Sequence, residues 1–398
     1  MNQRELALEI IYKTIKDSAY AGLLMRQKLN EIEPLKRPFV SNLVYGVLRE
    51  YDYLLFQVEN DIKNNTSLKN KIIIVMALYE KHFLNKENHI VINEYVSLAK
   101  NKYDKAFINA LLHKNIDLAL KESEDAYINN SLPKWLYSLL ESQYSKSDLD
   151  KILKNYKRIP KTYYRINHLK CLKEELNDVE FINDDIFISS NNLLNSDDFK
   201  NGKYYIQDIN SSLLVKNLHL KSDDILLDMC SAPGSKLFNA LDIIKPFNAY
   251  ANELYEKRLN LIKDKAKILG FEAINYLNYD GLCLKDKLNL KFDKIILDVP
   301  CSGLGTLGRK PDLKYHVTSS SLDELEKIQK GLLDSAKCLI KEKGEILYST
   351  CTLNKKENSK QILRFCKENS MFKLIKEETI INEMGDCFYY ALLERSVL

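Results

Sequence analysis

Two cysteines are set apart from the chain's other cysteines by their neighbours. Cys301 lies in Asp298-Val299-Pro300-Cys301-Ser302-Gly303, and Cys351 lies in Tyr348-Ser349-Thr350-Cys351-Thr352-Leu353. Each motif follows an apolar run that reads as a buried strand, so both thiols are predicted at strand ends. A lone cysteine is most often a small buried residue. Two at the ends of neighbouring strands, which run about 4.8 Å apart, can reach one ligand together. A thiolate adding to an electron-poor carbon splits one hard step into easier ones. Carbon 5 of cytosine needs such help, because it is too weak a nucleophile for a sulfonium methyl until a thiolate has added at carbon 6. Asp298 is the candidate to stabilise the charge that then develops at N3. A helix predicted around Lys355 to Cys366, with Lys355 and Lys356 at its start, is expected to favour the thiolate of Cys351.

A second group has the residue types that a nucleoside needs. Leu227-Asp228-Met229-Cys230-Ser231-Ala232-Pro233-Gly234-Ser235-Lys236 passes from an apolar strand through a small-residue turn into a helix. Such a turn lets a ligand approach the backbone closely. It is neither G-x-G-x-x-G nor a Walker loop, which speaks against a nicotinamide cofactor and against ATP. Alone, it is equally well explained as a plain β-α connection. Glu253 ends the next strand, 25 residues beyond Asp228, close to the spacing of about 20 at which an acid meets ribose hydroxyls. In isolation it reads as a surface glutamate; paired with the turn it favours a nucleoside. Asp280, after the third strand, is placed to meet an adenine amino group.

These residues need a scaffold that delivers strand ends to one crevice. From about Ser211 to the C-terminus (211–398) strand and helix patterns alternate, which predicts an α/β fold with a parallel sheet and helices on both faces. The strands read Ile225–Asp228, Ala249–Glu253, Ala273–Leu277, Lys294–Asp298 and Glu345–Ser349. A helix from Tyr255 to Leu269 is stopped by Gly270. A longer one is predicted to start in a capping box, Ser321 with Glu324, and to end near Lys343-Gly344. Residues 131–210 read as a small α+β connector opened by Pro133 and Trp135. Residues 1–130 read as helices only, with Leu8, Ile11 and Ile15 on one face and Val40, Leu43, Val44, Val47 and Tyr51 on another.

Composition sets wider bounds. The 398 residues suit two or three domains, and a hydrophobic share of 45% can build cores. A net charge of +4 permits nucleic-acid binding without demanding it. The eight cysteines form no C-x-x-C pair and the histidines show no zinc spacing, so no metal is expected. Neither a signal peptide nor a membrane-length apolar run is visible, and a cytoplasmic chain is expected. Nothing calls for obligate assembly, so a monomer is expected.

Taken together, the motifs resemble those of the Sun-type group of RNA cytosine-C5 methyltransferases, and within it the bacterial 16S ribosomal RNA branch. The likeness spans essentially the whole chain. It rests on the two cysteine motifs, on Arg309–Lys314 (RKPDLK), and on Tyr205-Ile206-Gln207-Asp208, Arg165-Ile166-Asn167 and Asp386-Cys387-Phe388-Tyr389. The resemblance implies a class I, Rossmann-like methyltransferase domain. It implies S-adenosylmethionine held by Cys230, Ser231, Ala232, Pro233, Gly234, Ser235, Lys236, Glu253, Arg258, Asp280 and Asp298. It makes Cys351 the nucleophile and Cys301 the residue that assists adduct release, an all-α NusB-like domain of the N-terminal segment, and an RNA-recognition module of the connector. The implied substrate is 16S rRNA at cytosine 967. Ser231 and Ser235 replace an alanine and a glycine of the usual first motif, and Cys387 stands where glycine is common.

Other readings are the same chemistry on transfer RNA or another ribosomal cytosine, and a non-catalytic RNA-binding or antitermination-like protein. An exocyclic-amine methyltransferase would need a Pro-Pro-aromatic turn where this chain has Asp-Val-Pro-Cys. For RNA, the basic side chains from Lys151 to Arg165 and at Arg309, Lys310 and Lys314 are candidates, and Tyr163 and Tyr164 either stack bases or fill a core.

Overall fold

The computed structural model describes residues 2–243, 248–271 and 273–397. The chain divides into two compact units: Met1–Arg158 with Thr306–Val317, and Ile159–Gly305 with Thr318–Leu398.

Among its described residues the first unit is helical: α1 (Gln3–Asp17), α2 (Ala21–Lys28), α3 (Arg37–Phe56), α4 (Leu68–Leu84), α5 (Asn88–Ser97), α6 (Lys102–Asn115), α7 (Ala126–Asn129), α8 (Lys134–Gln143) and α9 (Lys146–Lys157). The ends follow local chemistry. Asn2 and Glu5 form a capping box on α1, and Ser67 and Ser145 cap α4 and α9. The apolar faces read from sequence are buried, from Leu8 and Ile11 of α1 to Val40, Leu43, Val44 and Val47 of α3. Gly46 allows α3 to approach α4, since a Cβ there would lie 2.0 Å from the Tyr79 ring. One buried charge is fully bonded: Glu80 accepts two 2.8 Å hydrogen bonds from Arg4 and one of 2.6 Å from the Tyr95 hydroxyl, which offset its desolvation. Helices thus continue to residue 157, past the break read at 130, and α7 to α9 fall in the helical unit.

This unit also takes in residues 306–317, sequence that follows the fourth predicted strand. Arg49 donates to the Gly308 carbonyl at 2.8 Å, and Asp312 accepts the Ala21 N–H at the start of α2 at 3.0 Å. Lys314 is buried, donates to the Ser131 carbonyl and hydroxyl, and lies 3.7 Å from Asp52. Burial holds its ammonium below the usual lysine range, against the pull of Asp52 and Glu50. Lys314 is therefore a packing residue of this unit and not an RNA contact.

The second unit begins with the α+β connector: β1 (Tyr164–Ile166), β2 (Glu180–Phe181), β3 (Ile186–Ile188), α10 (Asp197–Lys200) and β4 (Tyr204–Ile206), in the antiparallel order β2-β3-β1-β4. Tyr164, Phe187 and Tyr204 pack ring on ring, and Tyr163 is buried beside Ile186 and Ile209. The two tyrosines are core and not stacking platforms. Arg165 is also buried, 3.3 Å from Asp242 and 3.4 Å from Asp185.

After α11 (Ile209–Val215) comes the Rossmann-like sheet: β5 (Leu226–Asp228), α12 (Ser235–Leu241), β6 (Ala249–Asn252), α13 (Glu256–Leu269), β7 (Ile274–Leu277), β8 (Phe292–Asp298), α14 (Ser319–Leu339), β9 (Ile340–Thr350), α15 (Ser359–Glu368), β10 (Phe372–Ile380) and β11 (Phe388–Arg395). Among the described residues its order is β10-β11-β9-β8-β5-β6-β7, with β5 to β9 parallel and β11 antiparallel to β9. The chain winds outward from β5 to β7 and returns on the other side with β8. Ligands of open α/β sheets bind outside the carboxyl ends of the strands at such a reversal.

Three boundaries differ from the sequence reading. α14 is capped by Thr318, which exchanges hydrogen bonds with Ser321, and it ends at Leu339. Ile340 to Gly344 belong to β9, because Ile340 already pairs with Phe292 of β8. Cys351 is followed by hydrogen-bonded turns over 354–358, and α15 starts only at Ser359. The helix N-terminus expected near Lys355 is not there.

Candidate active site

The sheet delivers five functional strand ends, those of β5 to β9, to one edge. β8 and β9 pair in parallel with Asp298 opposite Ser349, and the Ser349 hydroxyl donates to Asp298 Oδ1 at 2.7 Å. The Lys236 ammonium, carried by the first turn of α12, meets Asp298 Oδ2 at 2.7 Å. Beyond these ends the two turns carry the cysteines, whose sulfurs touch at 3.3 Å. Gly305 permits this approach: its N–H donates to the Cys351 carbonyl and its carbonyl accepts from the Cys387 N–H, both at 2.9 Å. A Cβ at Gly305 would lie 2.2 Å from the Cys387 carbonyl oxygen. Cys387, which stands where glycine is common, is itself buried, and its backbone is bonded to Gly305 beside the site.

Electrostatics distinguish the groups. The hydrogen bond to Cys351, then burial and the charge of Glu357, hold the Cys301 thiol well above its ordinary range. Burial pulls the Lys236 ammonium down, but the charges of Asp298 and Cys351 outweigh it and leave it raised. Lys236, the last residue of the cofactor turn expected from sequence, has its charge paired with Asp298. Asp228 is pushed up to about 7 by burial and by Asp298 nearby.

The remaining predicted residues assemble at the ends of β5, β6 and β7. Glu253 is buried and accepts N–H bonds from Ala232 at 3.3 Å and Tyr255 at 3.2 Å. Arg258 spans the two motifs, 3.3 Å from Glu253 and donating to the Ala232 carbonyl at 2.9 Å. Asn252, not singled out from sequence, ties the Met229 and Tyr279 carbonyls together at 3.1 Å each. Asp280 is exposed and accepts the Leu282 N–H at 2.9 Å. Gly234 holds a φ of +94°, and a Cβ there would press within 2.8 Å of the Phe238 ring. Cys230 is largely buried, which raises its thiol far above a reactive range.

A nucleoside sulfonium fits this arrangement. Asp228 Oδ1 is buried without a hydrogen-bond partner of good geometry among the described residues, although the Ser231 hydroxyl lies near enough to oppose its upward shift. Glu253 offers a carboxylate at the end of β6, and the acids Asp228, Glu253 and Asp298 complement a positive group. Among the described residues no cluster of metal-ligating side chains occurs, and no helix is long and apolar enough to cross a membrane.

Sequence reasoning missed the group beneath the cysteines. Glu357 and Gln329 are fully buried; Glu357 is bonded to both cysteine turns, and Gln329 links the Pro300 carbonyl to Glu357. Glu357 sits in Asn354-Lys355-Lys356-Glu357-Asn358, where the sequence predicts the first turn of a helix and nothing marks a buried carboxylate.

Comparison with known proteins bears on both units. The profile of the 16S rRNA methyltransferase RsmB/F family matches residues 215–391, and that of the NusB family matches residues 1–117. A relative from Bacillus subtilis (strain 168), a probable ribosomal RNA small subunit methyltransferase B, is 30% identical over 93% of this chain and 89% of its own length. A ribosomal RNA small subunit methyltransferase B from Photorhabdus laumondii is 26% identical, with 99% of each chain covered. Among solved structures, PH0851 has a TM-score of 0.79 at 20% identity over 99% of both chains. NSun6 from Pyrococcus horikoshii with SFG has a TM-score of 0.58 at 18% identity, over 67% of this chain and 99% of its own. At these identities the solved structures speak to fold alone. The length and level of the Bacillus match, with both family profiles falling in order on one chain, place this protein in the ribosomal RNA small subunit methyltransferase B family.

Proposed function

We propose that this family member transfers a methyl group from S-adenosylmethionine to carbon 5 of a cytosine in small-subunit ribosomal RNA, with cytosine 967 of 16S rRNA as the target. The observation that carries the reading is the pair of sulfurs at 3.3 Å beside the Lys236–Asp298 pair at 2.7 Å. S-adenosylmethionine supplies the electrophilic methyl; Glu253, Asp280, Arg258 and the 230–236 turn would hold it at the ends of β5 to β7.

The chain's own residues do the rest. The Cys351 thiolate adds at carbon 6 of the cytosine, and the ring becomes enamine-like at carbon 5. Asp298 passes a proton to N3 as charge develops there, and the Lys236 ammonium on its second oxygen stabilises the carboxylate left behind. Once carbon 5 carries the methyl, its proton passes to solvent water, the proton at N3 returns to Asp298, and the carbon 6–sulfur bond breaks to return Cys351 as thiolate. Cys301, kept as a thiol and touching Cys351, donates a hydrogen bond to that departing sulfur. The connector and helical unit are assigned to RNA binding, with Lys310 among the exposed cations that meet phosphate.

The test is methyl incorporation from labelled S-adenosylmethionine into unmodified 16S rRNA, with transfer RNA alongside and the product mapped. Label at one 16S cytosine is expected. Label in transfer RNA alone would move the substrate, and RNA binding without any label would favour the non-catalytic reading.

A further inference from the structure

Beneath the two cysteine turns lies a carboxylate with no assigned role. Glu357 is 0% exposed, and among the described residues no lysine or arginine pairs with it. Its Oε2 accepts the Ser302 N–H at 2.9 Å and the Gln329 side-chain amide at 3.0 Å. Its Oε1 accepts the Ser302 hydroxyl at 2.6 Å, the Asn354 amide at 3.2 Å and the Thr352 hydroxyl at 3.4 Å. Ser302 follows Cys301 and Thr352 follows Cys351, and their hydroxyls also meet each other at 2.6 Å. The Gln329 amide reaches the Pro300 carbonyl at 3.0 Å as well, and the Tyr348 hydroxyl donates to the Glu357 carbonyl at 2.6 Å. One side chain therefore receives bonds from the residue after each cysteine.

Burying a carboxylate is unfavourable unless its oxygens are bonded, and simple packing would be served as well by an apolar residue. A carboxylate, which only accepts, is the group that can gather five donors from three segments at one point. Thiol chemistry between two sulfurs in contact demands that kind of fixing. Bonds from Ser302 and Thr352 to the one carboxylate oppose sliding of either turn.

We propose that Glu357 is a positioning residue for methyl transfer: by bonding Ser302 and Thr352 at once it sets the separation and alignment of Cys301 and Cys351. The inference rests on the cysteine mechanism proposed above. The negative charge of Glu357 also reaches Cys301, where it adds to the effects that keep that thiol protonated.

The test uses the full chain and two readouts. A bifunctional thiol reagent, dibromobimane, bridges Cys301 and Cys351 only when their sulfurs lie close, and peptide mapping reports the bridge independently of catalysis. In Glu357→Gln an amide nitrogen faces N–H donors, so bridging between these two cysteines is expected to fall several-fold. The turnover number for methyl transfer is expected to fall about a hundredfold, as for misplacement on the ångström scale, while the KM for S-adenosylmethionine stays within about twofold. Gln329→Met, which removes one donor at similar volume, is expected to show a weaker effect of the same pattern and serves if the glutamine variant does not fold. Bridging or turnover at wild-type level in folded Glu357→Gln overturns the proposal. Cys351→Ala, measured in parallel, reports on the cysteine mechanism alone: full transfer there removes that mechanism, whatever the bridging result.

Discussion

At the scale of single residues, the account turns on which charges stand behind which thiol. Asp298 is held from both sides, by Ser349 and Lys236, so Asp298→Asn keeps the shape and removes the charge that Lys236 answers. Turnover is expected to fall by about 10² to 10⁴, the usual range for an acid-base group, with the protein still folded but melting at a lower temperature because the buried Lys236 ammonium loses its counter-charge; near-normal turnover would remove Asp298 from the chemistry. A second residue-scale expectation concerns pH. His168 is raised by its hydrogen bond to Asp185, and Asp185 is held well below the usual carboxylate range, by His168 first, against burial, with Lys216 and Arg165 adding to the effect. The histidine's contribution to stability is complete below its unfolded value of about 6.5 and is lost as pH rises through its higher folded value. The acid's contribution is present above its unfolded value of about 3.9 and fades as pH falls through its lower folded value. The wild-type melting temperature should therefore decline as pH rises above the ordinary histidine range, and His168→Gln should flatten that decline. A wild-type melting temperature that is level across that interval would contradict the assignment.

At the scale of elements, the parallel strands and the motifs at their ends were legible, because a buried strand announces itself by a short apolar run and its end by an acid or a Pro- or Thr-rich turn. Asp228, Glu253, Asp298 and Cys351 all stand where those runs stop. What was not legible is anything decided by partners distant in sequence. Ile340 to Gly344 read as helix end and loop, yet pairing with Phe292 extends β9 through them. Lys355-Lys356 read as a helix start, yet the buried bonds of Asn354, Glu357 and Asn358 spend those residues on turns. The first-motif turn is the element whose geometry most constrains its residues. Gly234→Ala meets both a left-handed φ and the Phe238 ring, so a loss of about 1–2 kcal/mol is expected, with weaker S-adenosylmethionine binding by calorimetry. Unchanged affinity would mean that the turn relaxes and does not shape the cofactor site.

At the scale of the whole molecule, the sequence pattern does not coincide with the compact units. Residues 306–317 follow β8 in the chain but are bonded into the helical unit through Arg49, Ala21 and Ser131. No local pattern marks this, since RKPDLK reads as a basic loop; only the burial of Lys314 reveals it. The consequence separates two lysines four residues apart in the same motif. Lys310 is exposed, and Lys310→Ala is expected to lower the salt slope of RNA binding by about one. Lys314→Ala should leave that slope unchanged while lowering the melting temperature by roughly 4 °C or more, because it strips a buried hydrogen-bonded charge. An altered salt slope with an unchanged melt in Lys314→Ala would return that residue to the RNA surface.

The covalent step is the central claim, and trapping it tests it most directly. Unmodified 16S rRNA and S-adenosylmethionine are incubated with wild-type, Cys301→Ala and Cys351→Ala proteins and resolved under denaturing conditions. The account expects a protein–RNA adduct that accumulates in Cys301→Ala, is transient in wild type, and is absent in Cys351→Ala together with at least about 10³ of the turnover. An adduct that persists in Cys351→Ala, or methyl transfer that survives its loss, would contradict Cys351 as the nucleophile.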